Sequence, residues 1–413
     1  MSEIEKQATD TLLPSASVSV FSTDSDTLDA VGALADDWRF ARVNVNTVEG
    51  GVEKAIATFQ SEGVTDVIII QTDEIDDSFT ERLGELSAYC DEGTAAIIIG
   101  PVNDVYLYRQ LIEMGVSDYL VRPVKPEILK DVIAKALIQR LGVSDSRLIA
   151  FVGAKGGVGT SYIAQICAWI ASDIMEHKTL LIDAAGSWSP LSVGVGFDPS
   201  ASLSEIARAV EANNEDALER MFFEASDKLT ILASGADAML DPSVSAEQYE
   251  AILDNFMVKS PVVMVDLSST ESSIKKAVLS RAHEIIMITT PTVTSLRFCR
   301  SLLKEISDIR GGDSNDVSLI VNQTELVKSY EVSASDIEEA LEFPPSASVA
   351  YLPALFLKYE SEVRGIISDK EGSALKGSLL SILQKTIANN VDTHEQVEES
   401  SGFFDGLFRK KKS

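Results

Sequence analysis

Basic residues, cysteine and histidine are all scarce in this chain, and it has no apolar run long enough to span a bilayer. Its 413 residues carry 35 Lys or Arg against 64 Asp or Glu, a formal net charge of −29. Such a charge repels a phosphate backbone at long range unless a strong local basic patch intervenes, so nucleic acid is not an expected partner. The three cysteines, Cys90, Cys167 and Cys299, are too few and too scattered for a disulfide framework or a thiolate metal site. A reducing cytosol fits that usage. His177, His283 and His394 stand far apart, with no carboxylate or nucleophile at a telling spacing, so each reads as surface or helix filler. No stretch reaches the roughly 18 apolar residues of a membrane span, and the opening MSEIEKQATDTLLPSAS lacks both a basic start and an apolar core. The expectation is a cytoplasmic chain, neither secreted nor integral.

The length exceeds what one hydrophobic core serves, and short Val/Ile-rich runs alternate with stretches of helical period in two successive blocks. That pattern predicts an α/β protein with two doubly wound parallel-sheet domains. After a disordered N-terminus at 1–16, the first domain covers 17–140, with strands at VSVF (18–21), DVIII (66–70), AIIIG (96–100) and DYLV (118–121). A closing helix from Pro126 places Ile128, Val132, Ile133, Ala136 and Leu137 on one face. A linker at 141–147 leads to a second domain, 148–389, with strands at RLIAFVG (147–153), TLLIDA (179–184), PVVMVDL (261–267), EIIMITT (284–290) and SLIVNQ (318–323). SASVAYLPALF (346–356) reads as strand and loop, and 390–413 as an acidic spacer and a basic amphipathic tail.

The chemistry concentrates in FVGAKGGVGTSYIAQICAWI (151–170), a buried strand entering a glycine-rich turn and then a helix with core face Ile163, Ile166, Cys167 and Ile170. Gly156, Gly157 and Gly159, flanking Val158, permit backbone angles that turn amide N–H groups toward an anion, and the helix adds its positive end. Lys155 supplies a mobile charge, while Ser161, after Thr160, can place a hydroxyl on Mg²⁺. A ligand-free turn is the bland alternative. KGGVG followed by a hydroxyl residue resembles the deviant Walker A motif of the ParA/MinD family of ATP-binding proteins, in which the early lysine reaches nucleotide in the partner subunit. By that resemblance Asp183 is the aspartate after the second strand, Asp266 the Walker B aspartate that orients Mg²⁺, and Asn322 and Pro353 contact the adenine.

Two departures weaken catalysis. Thr160 stands where the family carries a second lysine, and Ala185 where hydrolysing members have a water-positioning aspartate. Phosphoryl transfer depends on positioning and charge, so hydrolysis should be slow or absent, and loss of nucleotide affinity stays open. The first block, with GVSDYLVRPV (115–124), resembles the end of a response-regulator receiver. Gln71 replaces its phosphate-accepting aspartate, Ser22 and Thr23 its acidic pair with only Asp24 nearby, Gly100 its switch hydroxyl and Arg122 its lysine, with Pro123 kept. An amide forms no acyl phosphate, so this domain should be inert.

An inert receiver joined to a deviant Walker domain resembles the CpaE/TadZ family of Flp (Tad) type IV pilus assembly proteins. That resemblance implies an ATP-linked homodimer that helps place pilus secretion machinery at the inner membrane or a cell pole. Residues 401–413, GFFDGLFRKKKS after Ser401, could touch the membrane peripherally or hook a partner protein. A partitioning or cell-positioning ATPase and a nucleotide-free scaffold are the alternatives.

Overall fold

The computed structural model describes residues 12–61, 63–90, 93–140, 146–184, 191–199, 201–235, 243–312 and 316–387. Ala185, His394, most of the linker, the first eleven residues and the spacer and tail lie outside these. The chain divides into two compact units, whose described residues are 12–140 and 146–387.

In the first unit β1 (Ala16–Phe21), β2 (Val43–Val48), β3 (Val67–Gln71), β4 (Ala95–Gly100) and β5 (Asp118–Val121) form a parallel sheet ordered β2-β1-β3-β4-β5. This is a flavodoxin-like order. The inner strands VIIIQ and AAIIIG are buried throughout because helices cover both faces. Alternate residues feed opposite cores: Ile69, Ile97 and Ile99 pack with Leu129, Ile133 and Leu137, whereas Ile68, Ile70 and Ile98 pack with Leu83, Leu86 and Leu111. β2 escaped the sequence reading because VNVNTV is a half-polar edge strand, with Asn44 and Asn46 exposed. The Pro126–Arg140 helix buries Leu129, Ile133, Ala134, Ala136 and Leu137. Ile133, Ala136 and Leu137 are buried as expected, but Ile128 is 48% exposed, which corrects one margin of the face: the i, i+4, i+7, i+8 stripe starts at Leu129.

In the second unit β6 (Arg147–Gly153), β7 (Thr179–Asp183), β8 (Phe223–Ser226), β9 (Leu229–Leu232), β10 (Val262–Asp266), β11 (Glu284–Thr289), β12 (Val317–Thr324) and β13 (Ala347–Ala350) form one sheet. Its order is β13-β12-β11-β6-β10-β7-β9-β8, parallel except for the β8–β9 hairpin. β6 lies between β10 and β11, where the chain changes winding direction, and a parallel sheet opens its ligand crevice beyond the strand ends at such a point. The Thr160–Trp169 helix was expected to bury one face. Every residue but Tyr162 is buried, because the Arg364–Ser368 and Ser373–Ile387 helices pack over it. Within SASVAYLPALF the strand is Ala347–Ala350, and a short helix, Pro353–Lys358, replaces the expected loop, started by a proline that needs no donor in the first turn.

The other end of the central strands holds a largely buried charged cluster. His283, read from sequence as surface or helix filler, is half-buried, and its Nδ1 accepts from the Leu148 N–H at 3.0 Å. Burial, then Arg147, Arg310 and Arg281, drive its pKa down to about 3, so it stays neutral. Arg310 donates to the carbonyls of Leu279 and Ala282 at 2.9 and 2.8 Å and pairs with Asp316. Beside it Glu284, whose carboxylate accepts from the Ser318 hydroxyl, is pushed up to about 7 by burial.

The two neighbours oppose each other in pH dependence. Glu284 holds its proton in the folded state alone between its unfolded value of 4.5 and about 7, so its stabilising contribution is lost as pH rises through that window. His283 is protonated only in the unfolded state between about 3 and 6.5, so its contribution is lost as pH falls. Removing Glu284's titration by Glu284→Gln should leave stability rising more steeply with pH between 4.5 and 7, measured as denaturant midpoints across that range.

Candidate functional site

β6 ends at Gly153, and Ala154 donates to the Ile288 carbonyl at 2.8 Å, so the turn leaves the sheet between two fixed strands. Gly157 and Gly159 take φ of +80° and +93°, values costly for any residue with a Cβ. A Cβ at Gly156 or Gly157 would meet no atom within 4 Å, so that side of the turn faces open space. The other side is pinned. A Cβ at Gly159 would lie 2.5 Å from Asn322 Nδ2, and one at Gly153 2.4 Å from Thr160 Oγ1. Asn322 Nδ2 donates to the Val158 carbonyl at 2.8 Å, and Gln323 Nε2 to the Gly157 carbonyl at 3.0 Å. With two carbonyls held from behind, the turn keeps a shape in which its amides are free to face an anion.

Lys155 is exposed, its Nζ 3.3 Å from the Gly156 carbonyl. Thr160 is buried beside Gly153 in the first turn of the helix. Ser161 Oγ lies 2.8 Å from Ser268 Oγ, and Ser268 donates to Asp266 from its hydroxyl at 3.0 Å and from its N–H at 2.9 Å. Burial raises the Asp266 pKa, and the Ser161 and Ser268 hydrogen bonds offset it. Asp183 is the direct cross-strand neighbour of Asp266 and is also buried. Lys155 to Ser161, Asp183, Asp266 and Asn322 are thus gathered at the ends of β6, β7, β10 and β12.

Pro353 follows the strand that pairs with β12. It opens the helix after β13, three strands from β6. The amide nitrogen of Asn322 is engaged by the turn, where it acts on loop shape. The sequence reading missed Ser268, Gln323 and the buried Tyr249. A serine two residues beyond a strand-ending aspartate is a recognisable side-chain turn signal; Tyr249, on a distant helix, had none.

The donors suit magnesium. A serine hydroxyl and a carboxylate joined through one intervening hydroxyl are hard oxygen ligands of the number Mg²⁺ takes while it keeps several waters. Among the described residues no cluster of three or more His, Cys, Asp or Glu exists, so a softer, fully protein-ligated metal has no site there.

In the first unit the residues at the corresponding strand ends bond to one another. Gln71 Oε1 accepts from the Thr23 N–H at 3.1 Å and the Ser22 hydroxyl at 3.3 Å, and its Nε2 donates to Asp73 at 3.1 Å. Arg122 spans Asp73 at 2.7 Å and Asp24 at 3.7 Å, placing a fixed guanidinium between the acidic groups. At Gly100 a Cβ would lie 2.5 Å from the Tyr119 phenol oxygen, which donates to the Val102 carbonyl. A switch hydroxyl has no room there.

The second unit therefore has the P-loop class of fold: a central buried strand, a glycine turn, a helix N-terminus and two carboxylates on neighbouring strand ends. Comparison with known proteins shows what it is similar to. Over 205 residues the chain is 27% identical to the septum site-determining protein MinD of Synechocystis sp., covering 48% of this chain and 74% of that protein. A putative septum site-determining protein MinD from Emiliania huxleyi is 25% identical over 48% of this chain and 72% of its own. A solved ParA family ATPase from Chlorobium tepidum shares the fold at a TM-score of 0.52 and 21% identity, covering 57% of this chain and 98% of that one. A solved pilus assembly protein CpaE from Caulobacter crescentus is 26% identical over 31% of this chain and 97% of its own, at a TM-score of 0.30, an overlap too small to carry structural weight. No family model matches the chain. In fold, the second unit is similar to the P-loop domains of the ParA/MinD type.

The two sides of the turn should respond differently to a methyl group. Gly159→Ala combines positive φ with a collision at Asn322 and should lower stability by about 1–3 kcal/mol. Gly156→Ala enters open space without positive φ and should change the denaturant midpoint little.

Proposed function

We propose that the second unit binds ATP with Mg²⁺ in a homodimer, hydrolyses it slowly or not at all, and so acts as a nucleotide-linked assembly and localisation factor. The observation that carries this is the open turn at Gly156–Gly157, pinned from behind by Asn322 and continuous with the Ser161–Ser268–Asp266 chain. Backbone amides and Lys155 would hold the phosphates, and Ser161 and Asp266 would hold hydrated Mg²⁺. Bound there, the cation would neutralise charge between the β- and γ-phosphates. Thr160, buried beside Gly153, puts no second cation near the phosphates, which supports weak turnover.

A role in Flp (Tad) pilus biogenesis of the CpaE/TadZ type is proposed from the pairing of this domain with a first unit whose phosphate-accepting position is Gln71. Partners would then be pilus secretion components, with peripheral membrane contact through 401–413. The likeness to MinD supports a second reading, a cell-positioning ATPase. That reading requires turnover, which separates the two. Among the described residues no helix is long and apolar enough to cross a membrane.

Calorimetric titration of ATP with Mg²⁺ into the full chain should show binding. Lys155→Ala removes charge-assisted contacts and should weaken it roughly ten- to a hundredfold. Phosphate release should stay near background. No binding by the wild type would end the ATP proposal, and stimulated turnover would favour the positioning ATPase.

A further inference from the structure

The Val293–Ile309 and Ala334–Leu341 helices of the second unit pack against each other, and an open groove of about 540 Å³ lies between them. Its floor is apolar: Leu296 and Leu341 are buried there, Val332 is half-buried, and Val293, at the start of its helix, is 76% exposed. One wall is basic. Arg297, Arg300 and Lys304 share a helical face along the groove, and all three are exposed. Arg300 makes a long 3.5 Å pair with Glu342, while Arg297 and Lys304 have no ion pair among the described residues. Among the described residues that line the groove none is acidic. In a chain with 64 acidic residues against 35 basic, three cations along one apolar cleft are a local reversal of charge. The walls are fixed without them. Thr292 caps the longer helix by accepting from the Ser295 N–H, Ser333 caps the shorter one by accepting from the Asp336 N–H, and the Val332 N–H donates to the Pro291 carbonyl at 3.0 Å. The groove is therefore preformed, which lowers the cost of filling it.

We propose that this groove docks an acidic amphipathic segment of a partner protein, with apolar side chains seated on Val293, Leu296 and Leu341 and carboxylates against Arg297, Arg300 and Lys304. Charge complementarity selects that occupant. A nucleic acid backbone would meet a chain of net charge −29 and has nothing to offer the apolar floor. A second copy would bring a further charge of −29 to the contact. A cleft between two helices admits one helix or strand, and the loop leading into Val332 extends its apolar surface with Val327 and the 88% exposed Tyr330. Remote acidic groups of this chain are screened beyond about 8 Å at physiological salt, so the local cations govern the contact. Exposed ion pairs add little affinity each and serve orientation and selectivity, while the apolar floor supplies most of the binding. No nucleotide enters this inference, which stands apart from the ATP reading.

The probe is a fluorescein-labelled synthetic amphipathic helix, with leucines on one face and glutamates flanking them, titrated with the full chain and followed by anisotropy. A scrambled peptide of the same composition and a peptide with lysine in place of each glutamate are the controls. The wild type should bind the acidic helix and neither control. Arg297→Glu/Lys304→Glu should weaken that binding roughly tenfold and gain affinity for the lysine peptide. Ala340→Trp fills the groove from the facing wall without changing charge and should weaken the acidic helix to a similar degree. All three positions are exposed, so melting temperatures should not move. Equal binding of the acidic and scrambled peptides, or equal binding by wild type and double variant, would overturn the proposal. So would DNA binding that the charge reversal abolishes, or a reversal that changes the sedimentation of the chain alone, because the groove would then serve nucleic acid or a second copy. Should the double variant not fold, Ala340→Trp and the lysine peptide decide the matter by themselves.

Discussion

The hydrogen bond from the Asn322 carboxamide to the Val158 carbonyl is the constraint on which the site depends. It joins the end of β12 to the turn after β6, strands separated in the sheet by β11. A glycine-rich turn left to itself samples many shapes, since glycine restricts φ so little. Here Gly157 and Gly159 hold positive φ because Asn322 and Gln323 take two consecutive carbonyls out of play. The amides on the same peptides are left for an outside acceptor. Gly159 is required twice over, by its φ and by its closeness to Asn322, so sequence and loop shape are tied to one interaction.

The two units use one architecture to opposite ends. Both are parallel sheets with polar residues collected at the strand ends, where α/β proteins place ligands. In the first, Gln71, Asp73, Asp24 and Arg122 bond among themselves, and Tyr119 fills the space beside Gly100. In the second, the turn opens outward and a buried hydroxyl lacks a partner among the described residues. The open side of the turn supports nucleotide chemistry in the second unit.

Much of this was legible in the sequence, for reasons specific to particular residues. Buried strands such as VIIIQ and AAIIIG declare themselves because both their faces are apolar, and KGGVGTS declares the turn because few other uses require those residues in that order. Edge elements were illegible: β2 carries Asn44 and Asn46, and the β8–β9 hairpin is short and partly exposed. One margin of the buried face of the Pro126–Arg140 helix was misjudged because Ile128 is as apolar as Leu129, and only packing decides which one faces the core. His283 and Tyr249 were hidden for another reason. Their surroundings, Arg147 and Arg310 in one case and two aspartates in the other, come from segments distant in the chain.

The central claim is that the turn from Lys155 to Ser161 grips a triphosphate through its backbone. Hydrogen exchange of the full chain with and without ATP and Mg²⁺ reads those amides directly. Slowed exchange confined to the peptides spanning 153–162 and the Asp266–Ser268 strand end is the predicted result. Unchanged exchange across both segments at saturating ATP would contradict the account.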